Sequence, residues 1–250
     1  MIPNWARQVR WPVLGLLVLV TLVLVAGPAF AQEDAVKSSG KSERTLLDNI
    51  KAAGEVGIII VILSIAGLSL VITFAMQIRR DVMVPPDLLG HIEGLFEDED
   101  YDAALEVVES QPSYLSSVLS SGLPRIDRPY HDIEVAMEEA GDQEAARLHQ
   151  KIGYLSLIAS IAPMLGLLGT VIGMVEAFNV IANAKTSPKP AELAEGISKA
   201  LMTTMMGLSV AIPMSVAYFV FRNRVNNAIV EVSNIATELM ERFDVPAEPH

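Results

Sequence analysis

The chain has 250 residues, 51% of them hydrophobic, with a formal net charge of −12 and a mean hydropathy of +0.40. Apolar residues gathered into long uninterrupted runs mark a membrane protein rather than a soluble domain. The acidic balance excludes nucleic acid as a partner, since phosphate binding needs clustered Lys and Arg. The absence of cysteine excludes disulfides, thiolate metal sites and thiol catalysis. His91, His131, His149 and His250 stand at no metal-ligand spacing, so neither a metal nor a cofactor is expected.

The first apolar run, Trp11 to Ala31, follows Arg7 and Arg10 and closes on Gly27-Pro28 and Ala29-Phe30-Ala31. A basic start, an apolar centre, a helix breaker and an A-x-A triplet describe a secretory signal peptide, residues 1–31, cleaved after Ala31. The alternative reading is an uncleaved extra membrane helix. Residues 32–45 are polar, contain Ser38-Ser39-Gly40, and read as a flexible exported tail.

Three more runs follow: Val56 to Met76 within a first helix at 46–84, 152–175 within a second at 131–183, and 200–221 within a third at 192–243. None of the runs carries a charge, and each has the roughly 20 residues that a helix needs to cross about 30 Å of hydrocarbon. Backbone polar groups in lipid must be satisfied within the segment, which makes each run a helix. Arg79-Arg80, Arg147, Lys151, Arg222 and Arg224 fall on one side if the tail is outside, as the positive-inside rule requires. A signal peptide demands that same placement. The expected protein is therefore all-α, with three transmembrane helices, a periplasmic N-terminus and a cytoplasmic C-terminus. Its second and third helices extend into the cytoplasm.

The segment 85–130 opens at Pro85-Pro86, and its apolar residues recur at helical spacing: Leu88, Ile92, Leu95 and Phe96, then Tyr101, Ala104, Leu105 and Val108, then Leu115, Val118 and Leu119. Asp and Glu stand between them, so this is an acidic cytoplasmic loop of short helices broken at Pro112, Pro124 and Pro129. Beyond the third span, Val225, Ile229, Val232, Ile235, Ala236 and Leu239 form one stripe. The periplasmic loop 184–191 is short, which makes the second and third spans an antiparallel hairpin. Residues 244–250 read as a frayed end.

Small residues mark one face of each hairpin span. Ala159, Pro163, Gly166, Thr170, Gly173 and Ala177 alternate steps of four and three; Ala200, Thr204, Gly207, Ala211 and Ser215 repeat the pattern with steps of four, three, four and four. Such stripes let membrane helices approach closely, and packing alone would account for Ala159, Pro163, Gly166, Gly173, Gly207 and Ala211. Thr170 and Thr204 place hydroxyls at membrane depth, where they either bond to their own helix or line a polar path. Glu176, Glu195 and Lys199 lie toward the outside. Glu195 and Lys199 suit an intrahelical pair at the interface or, with Glu176, the mouth of an ion path. No catalytic constellation appears, and an enzyme is not expected.

The run Ala162-Pro163-Met164-Leu165-Gly166-Leu167-Leu168-Gly169-Thr170-Val171-Ile172-Gly173-Met174 resembles the second-span motif of the ExbB/TolQ/MotA family. Gly196-Ile197-Ser198-Lys199-Ala200-Leu201-Met202-Thr203-Thr204 through Gly207-Leu208 to Ala211-Ile212-Pro213 resembles the ExbB/TolQ branch. The resemblance covers about Leu46 to Phe243. It implies a homopentamer in the inner membrane, whose second and third helices line a pore around a pair of single-span ExbD/TolR-type partners. Proton flow past an aspartate of the partner would drive motion transmitted to a TonB-like or other periplasmic client. Thr170 and Thr204 match the family's pore-lining threonines. Lys199 departs from it, because the family often has glutamate there. A non-conducting membrane scaffold and a stator for another motility or envelope system remain as alternatives.

Overall fold

The computed structural model describes residues 54–184 and 190–243, apart from the side chains of residues 190–192 and 195. The signal segment 1–31, the tail 32–45 and the end 244–250 lie outside the described residues. Every described element is helical: α1 (Gly54–Gln77), α2 (Arg80–Met83), α3 (Pro86–Glu97), α4 (Tyr101–Ser110), α5 (Tyr114–Gly122), a 3-10 turn (Leu123–Arg125), α6 (Tyr130–Asn183), α7 (Pro190–Met240) and a closing 3-10 turn (Glu241–Phe243). Three of these helices, α1, α6 and α7, are long and apolar enough to cross a membrane. The described residues divide into two compact units, one of 54–71 with those of 154–218, the other of 72–153 with 219–243.

In the first unit α1 buries Val56, Ile60 and Val71 while Ile58, Ile59, Ile62 and Ile65 stay exposed. Its contact with the hairpin passes Gly67, where the Met214 and Ile158 side chains pack. A Cβ at Gly67 would lie 2.8 Å from the Met214 sulfur and 3.6 Å from Ile158. Both hairpin helices contain a proline, Pro163 in α6 and Pro213 in α7, and run on through it.

α1 ends at Gln77 instead of continuing to 84. Arg79 is extended, with φ −116° and ψ 146°, and its guanidinium Nε donates to the Ala75 carbonyl at 2.8 Å. That side chain satisfies one of the carbonyls a helix end leaves open.

The second unit is a bundle of amphipathic helices. Pro86 starts α3 from its first turn, Asp100 caps α4 by accepting from the Ala103 amide at 3.1 Å, and Ser113 caps α5 by accepting from Ser116 at 3.0 Å. Leu88, Ile92 and Phe96 of α3, Leu115 and Leu119 of α5, and Ile133 of α6 are wholly buried. Along α7 the buried line is Val225, Ala228, Val232, Ala236 and Leu239, so the stripe passes through Ala228 and leaves Ile229 half-buried. Phe96 meets Tyr101 and Phe243 edge-on at 5.5 and 6.3 Å. Arg242 lies 5.1 Å above the Phe96 ring and donates to the Phe96 carbonyl at 2.6 Å, which fastens the end of α7 to the end of α3. Arg80 pairs with Glu231 at 2.5 Å.

Candidate functional site

The site is the seam between α6 and α7. Glycines on both helices remove the side chains that would hold the backbones apart. A Cβ at Gly207 would lie 2.5 Å from the Ala162 carbonyl oxygen, and one at Gly166 2.9 Å from the Thr204 Cα. At Gly173 it would meet Ala200 at 2.9 Å, and at Gly196 it would meet Ala177 at 2.9 Å. Rising numbers on α6 meet falling numbers on α7, so the helices are antiparallel. The contact line on α6 runs through Ala162, Gly166, Gly169, Gly173 and Ala177, all buried. Pro163, Ala159 and Thr170 are half-buried beside it, Ala211 is buried further along α7, and Ser215 is exposed.

Three threonine hydroxyls enter this seam. Thr170 Oγ1 lies 3.1 Å from the Gly166 carbonyl and 3.2 Å from the Ala200 carbonyl. Thr204 Oγ1 is 3.1 Å from the Gly166 carbonyl, and the Thr170 and Thr204 hydroxyls bond to each other. Thr203, only 2% exposed, reaches the Ala200 carbonyl at 2.7 Å and the Gly166 carbonyl at 3.2 Å. The two threonines singled out by helical spacing are thus in direct contact across the hairpin. Thr203 was missed because it sits one position off the stripe; the tandem Thr203-Thr204 within an apolar span was the available signal.

Beyond the threonines, toward the loop, Lys199 Nζ donates to Glu176 Oε2 at 3.1 Å. The pair therefore joins α7 to α6, a partner the intrahelical spacing of Glu195 and Lys199 did not suggest. The Glu195 side chain lies outside the described residues. The start of α1 closes on the same lysine. Gly54 has φ +65°, and a Cβ there would meet Lys199 Cε at 3.5 Å and Nζ at 3.7 Å. The positive φ favours glycine at this point; the lysine would be in ordinary contact with a Cβ there.

Away from the seam both helices present bare hydrocarbon. Met164, Leu167 and Phe178 on α6, and Leu201, Ile212 and Phe219 on α7, are each more than half exposed. A shallow, mostly apolar groove on α7 is lined by Ala194, Ile197, Ser198, Leu201, Met202 and Met205. No group of three or more His, Cys, Asp or Glu residues able to hold a metal occurs among the described residues.

A hairpin of two membrane-length helices, joined through glycines and lined by hydroxyls at its seam, is the architecture of an integral membrane protein. The model of the MotA/TolQ/ExbB proton channel family matches residues 110–234, half of the chain, and takes in the whole seam; the chain belongs to that family. It is 29% identical over 192 residues to a protein of Methanothermobacter thermautotrophicus provisionally described as a biopolymer transport protein ExbB homolog, covering 76% of this chain and 68% of that one. It is 36% identical over 118 residues to the Tol-Pal system protein TolQ of Haemophilus influenzae, covering 46% and 51%. It is also 36% identical over 88 residues to the biopolymer transport protein ExbB of Salmonella typhimurium, covering 35% and 36%. The chain spans about half the length of TolQ, and less of ExbB. These relatives place it on the ExbB/TolQ side of the family.

Proposed function

We propose that this chain is a proton-channel subunit of the bacterial inner membrane that converts proton motive force into mechanical work on a periplasmic or outer-membrane client. It acts as a homopentamer around two single-span partners of the ExbD/TolR type and catalyses no covalent reaction. The tail follows a signal peptide cleaved after Ala31 and lies in the periplasm. The bundle of α2 to α5, the start of α6 and the end of α7 lie in the cytoplasm, on the side where Arg79, Arg80, Arg147, Lys151, Arg222 and Arg224 gather.

One observation carries the reading: the Thr170 and Thr204 hydroxyls bond to each other across the glycine seam of a proton-channel family member. Hydroxyls placed at membrane depth offer both a donor and an acceptor where lipid offers neither. The Lys199–Glu176 pair is the mouth of the path, and its two charges cancel, so the lysine does not leave a bare cation there. The bare faces of α6 and α7 suit neighbouring copies, the partner helices and lipid.

The test is proton flux into proteoliposomes holding this chain with a single-span partner whose membrane segment carries an aspartate. Flux above that of empty vesicles is expected, with Thr170→Val or Thr204→Val abolishing it while the oligomer mass stays unchanged. Flux no greater than empty vesicles would leave the non-conducting scaffold. Normal flux in both valine variants would remove the threonines from the path.

A further inference from the structure

Three hydroxyls share the seam, and the carbonyls beside them have too few free lone pairs to serve all three. The Gly166 oxygen and the Ala200 oxygen each stand within a continuous helix, where the amide four residues on takes one of the two lone pairs. One lone pair remains on each. Thr170, Thr203 and Thr204 each have one hydroxyl proton to place. Two protons go to the carbonyls, and among the atoms of the seam the third has only another hydroxyl to go to.

We infer that Thr203 is a positioning residue that decides which hydroxyls are left to pair, an inference that rests on Thr170 and Thr204 facing the proton path. Its oxygen is nearer the Ala200 carbonyl, at 2.7 Å, than the Gly166 carbonyl, at 3.2 Å. Thr170 is 3.2 Å from that same Ala200 oxygen and loses the competition. Thr170 and Thr204 are then left with the Gly166 carbonyl as their one shared acceptor, each 3.1 Å away. One of them donates to it and the other donates to its neighbour. Either order fits the same heavy-atom positions, because a hydroxyl proton rotates without moving its oxygen. The pair is therefore fixed in place and reversible in direction.

Gly169 holds Thr203 in this role. A Cβ at Gly169 would lie 2.5 Å from Thr203 Oγ1 and 2.7 Å from its Cβ, so the glycine is the seat of the threonine. Being β-branched, Thr203 has few rotamers to begin with, and at 2% exposure no water replaces its hydroxyl. Without that hydroxyl, the Ala200 carbonyl is open to Thr170, and the contact with Thr204 no longer has a reason to persist.

The experiment combines a conduction readout with one that is independent of conduction. Full-length protein carrying 13C-methyl threonine is placed in lipid nanodiscs, and the Thr170 and Thr204 methyl signals are followed for the unsubstituted chain, Thr203→Ser, Thr203→Val and Thr203→Ala. Proton flux of the same four proteins is measured in the proteoliposomes described above. Single Thr170 and Thr204 signals are expected in the unsubstituted chain and in Thr203→Ser. Split or shifted signals with a several-fold loss of flux are expected in Thr203→Val and Thr203→Ala, at unchanged oligomer mass. Thr203→Ala leaves space where valine could crowd Gly169, so a folding defect confined to valine does not decide the matter. Unaltered methyl signals in Thr203→Ala overturn the positioning role. Altered signals with no flux from the unsubstituted protein uphold that role and overturn the channel reading instead.

Discussion

The α6–α7 seam within residues 154–218 is lined by Gly166, Gly169, Gly173, Gly196 and Gly207, and what touches there is backbone, an alanine methyl or the Thr203 side chain. The unit of residues 72–153 and 219–243 is held by Phe96, Leu88, Ile92, Leu115, Leu119 and Phe221, all wholly buried. In it Gly90 and Gly94 have nothing within 4 Å of a would-be Cβ. The difference follows from what surrounds each on the proposed topology. Water rewards burial of large apolar side chains. Lipid does not, so helices in it associate by close backbone approach and by polar contacts. Glycine is thus a close-contact residue all along the seam, whereas in the other unit Gly90 and Gly94 are blanks and only Gly122 is tightly packed, against the Met137 and Ile133 side chains.

Four substitutions break or sharpen that contrast. Phe96→Ala removes an edge-on aromatic cluster and the surface beneath Arg242, and should cost about 3–5 kcal/mol, read from thermal unfolding of the purified full chain. Gly207→Ala adds one carbon where a Cβ faces the Ala162 oxygen at 2.5 Å, and should cost about 1–3 kcal/mol by overpacking; the expected result is a lowered unfolding midpoint and weakened assembly. Gly94→Ala reverses the sign. It lies on the exposed face of α3 with open space around it, and should stabilise by about 0.5–1 kcal/mol in the same assay. A stabilising Gly207→Ala or a damaging Gly94→Ala would erase the distinction between the two kinds of glycine.

The smallest effect is a pH dependence confined to the second unit. Burial, with Asp142 and Glu144 adding to it, pushes the Tyr114 phenol above its ordinary range, and its hydroxyl donates to the Gly141 carbonyl at 3.1 Å. The folded state then holds this proton more tightly than the unfolded state. Its contribution is complete below the unfolded pKa of about 10 and is lost as the pH rises through the higher folded value. Unfolding midpoints of the unsubstituted chain should therefore fall more steeply above about pH 10 than those of Tyr114→Phe. Parallel curves would show that the phenol does not matter.

The sequence made faces legible and partners illegible. Leu88, Ile92 and Phe96 at helical spacing located the buried side of α3, because one apolar stripe on a short helix has one inward direction. The small stripe of the second span was read through Pro163 and Thr170, and the contact line runs beside them through Ala162 and Gly169. Spacing alone does not separate adjacent lines when both are made of small residues. Lys199 shows the same limit. A favourable partner one turn away on its own helix was visible, whereas Glu176 becomes a partner only through the hairpin's register. Thr203 was hidden for a related reason, since its bonding is to carbonyls of the two backbones, and carbonyls leave no trace in a sequence.

Pro163 and Pro213 also set the stiffness of the hairpin. Proline has no N–H, so the carbonyls of Ala159 and Ser209 lack the donor that the helix supplies to every other residue of their spans. The register that sets Gly207 against Ala162 brings those two carbonyls to one level. Each rod is therefore softest at a common cross-section, just past the end of the seam. The glycine and threonine contacts of the seam all lie on one side of that level, so a bend there leaves their register intact.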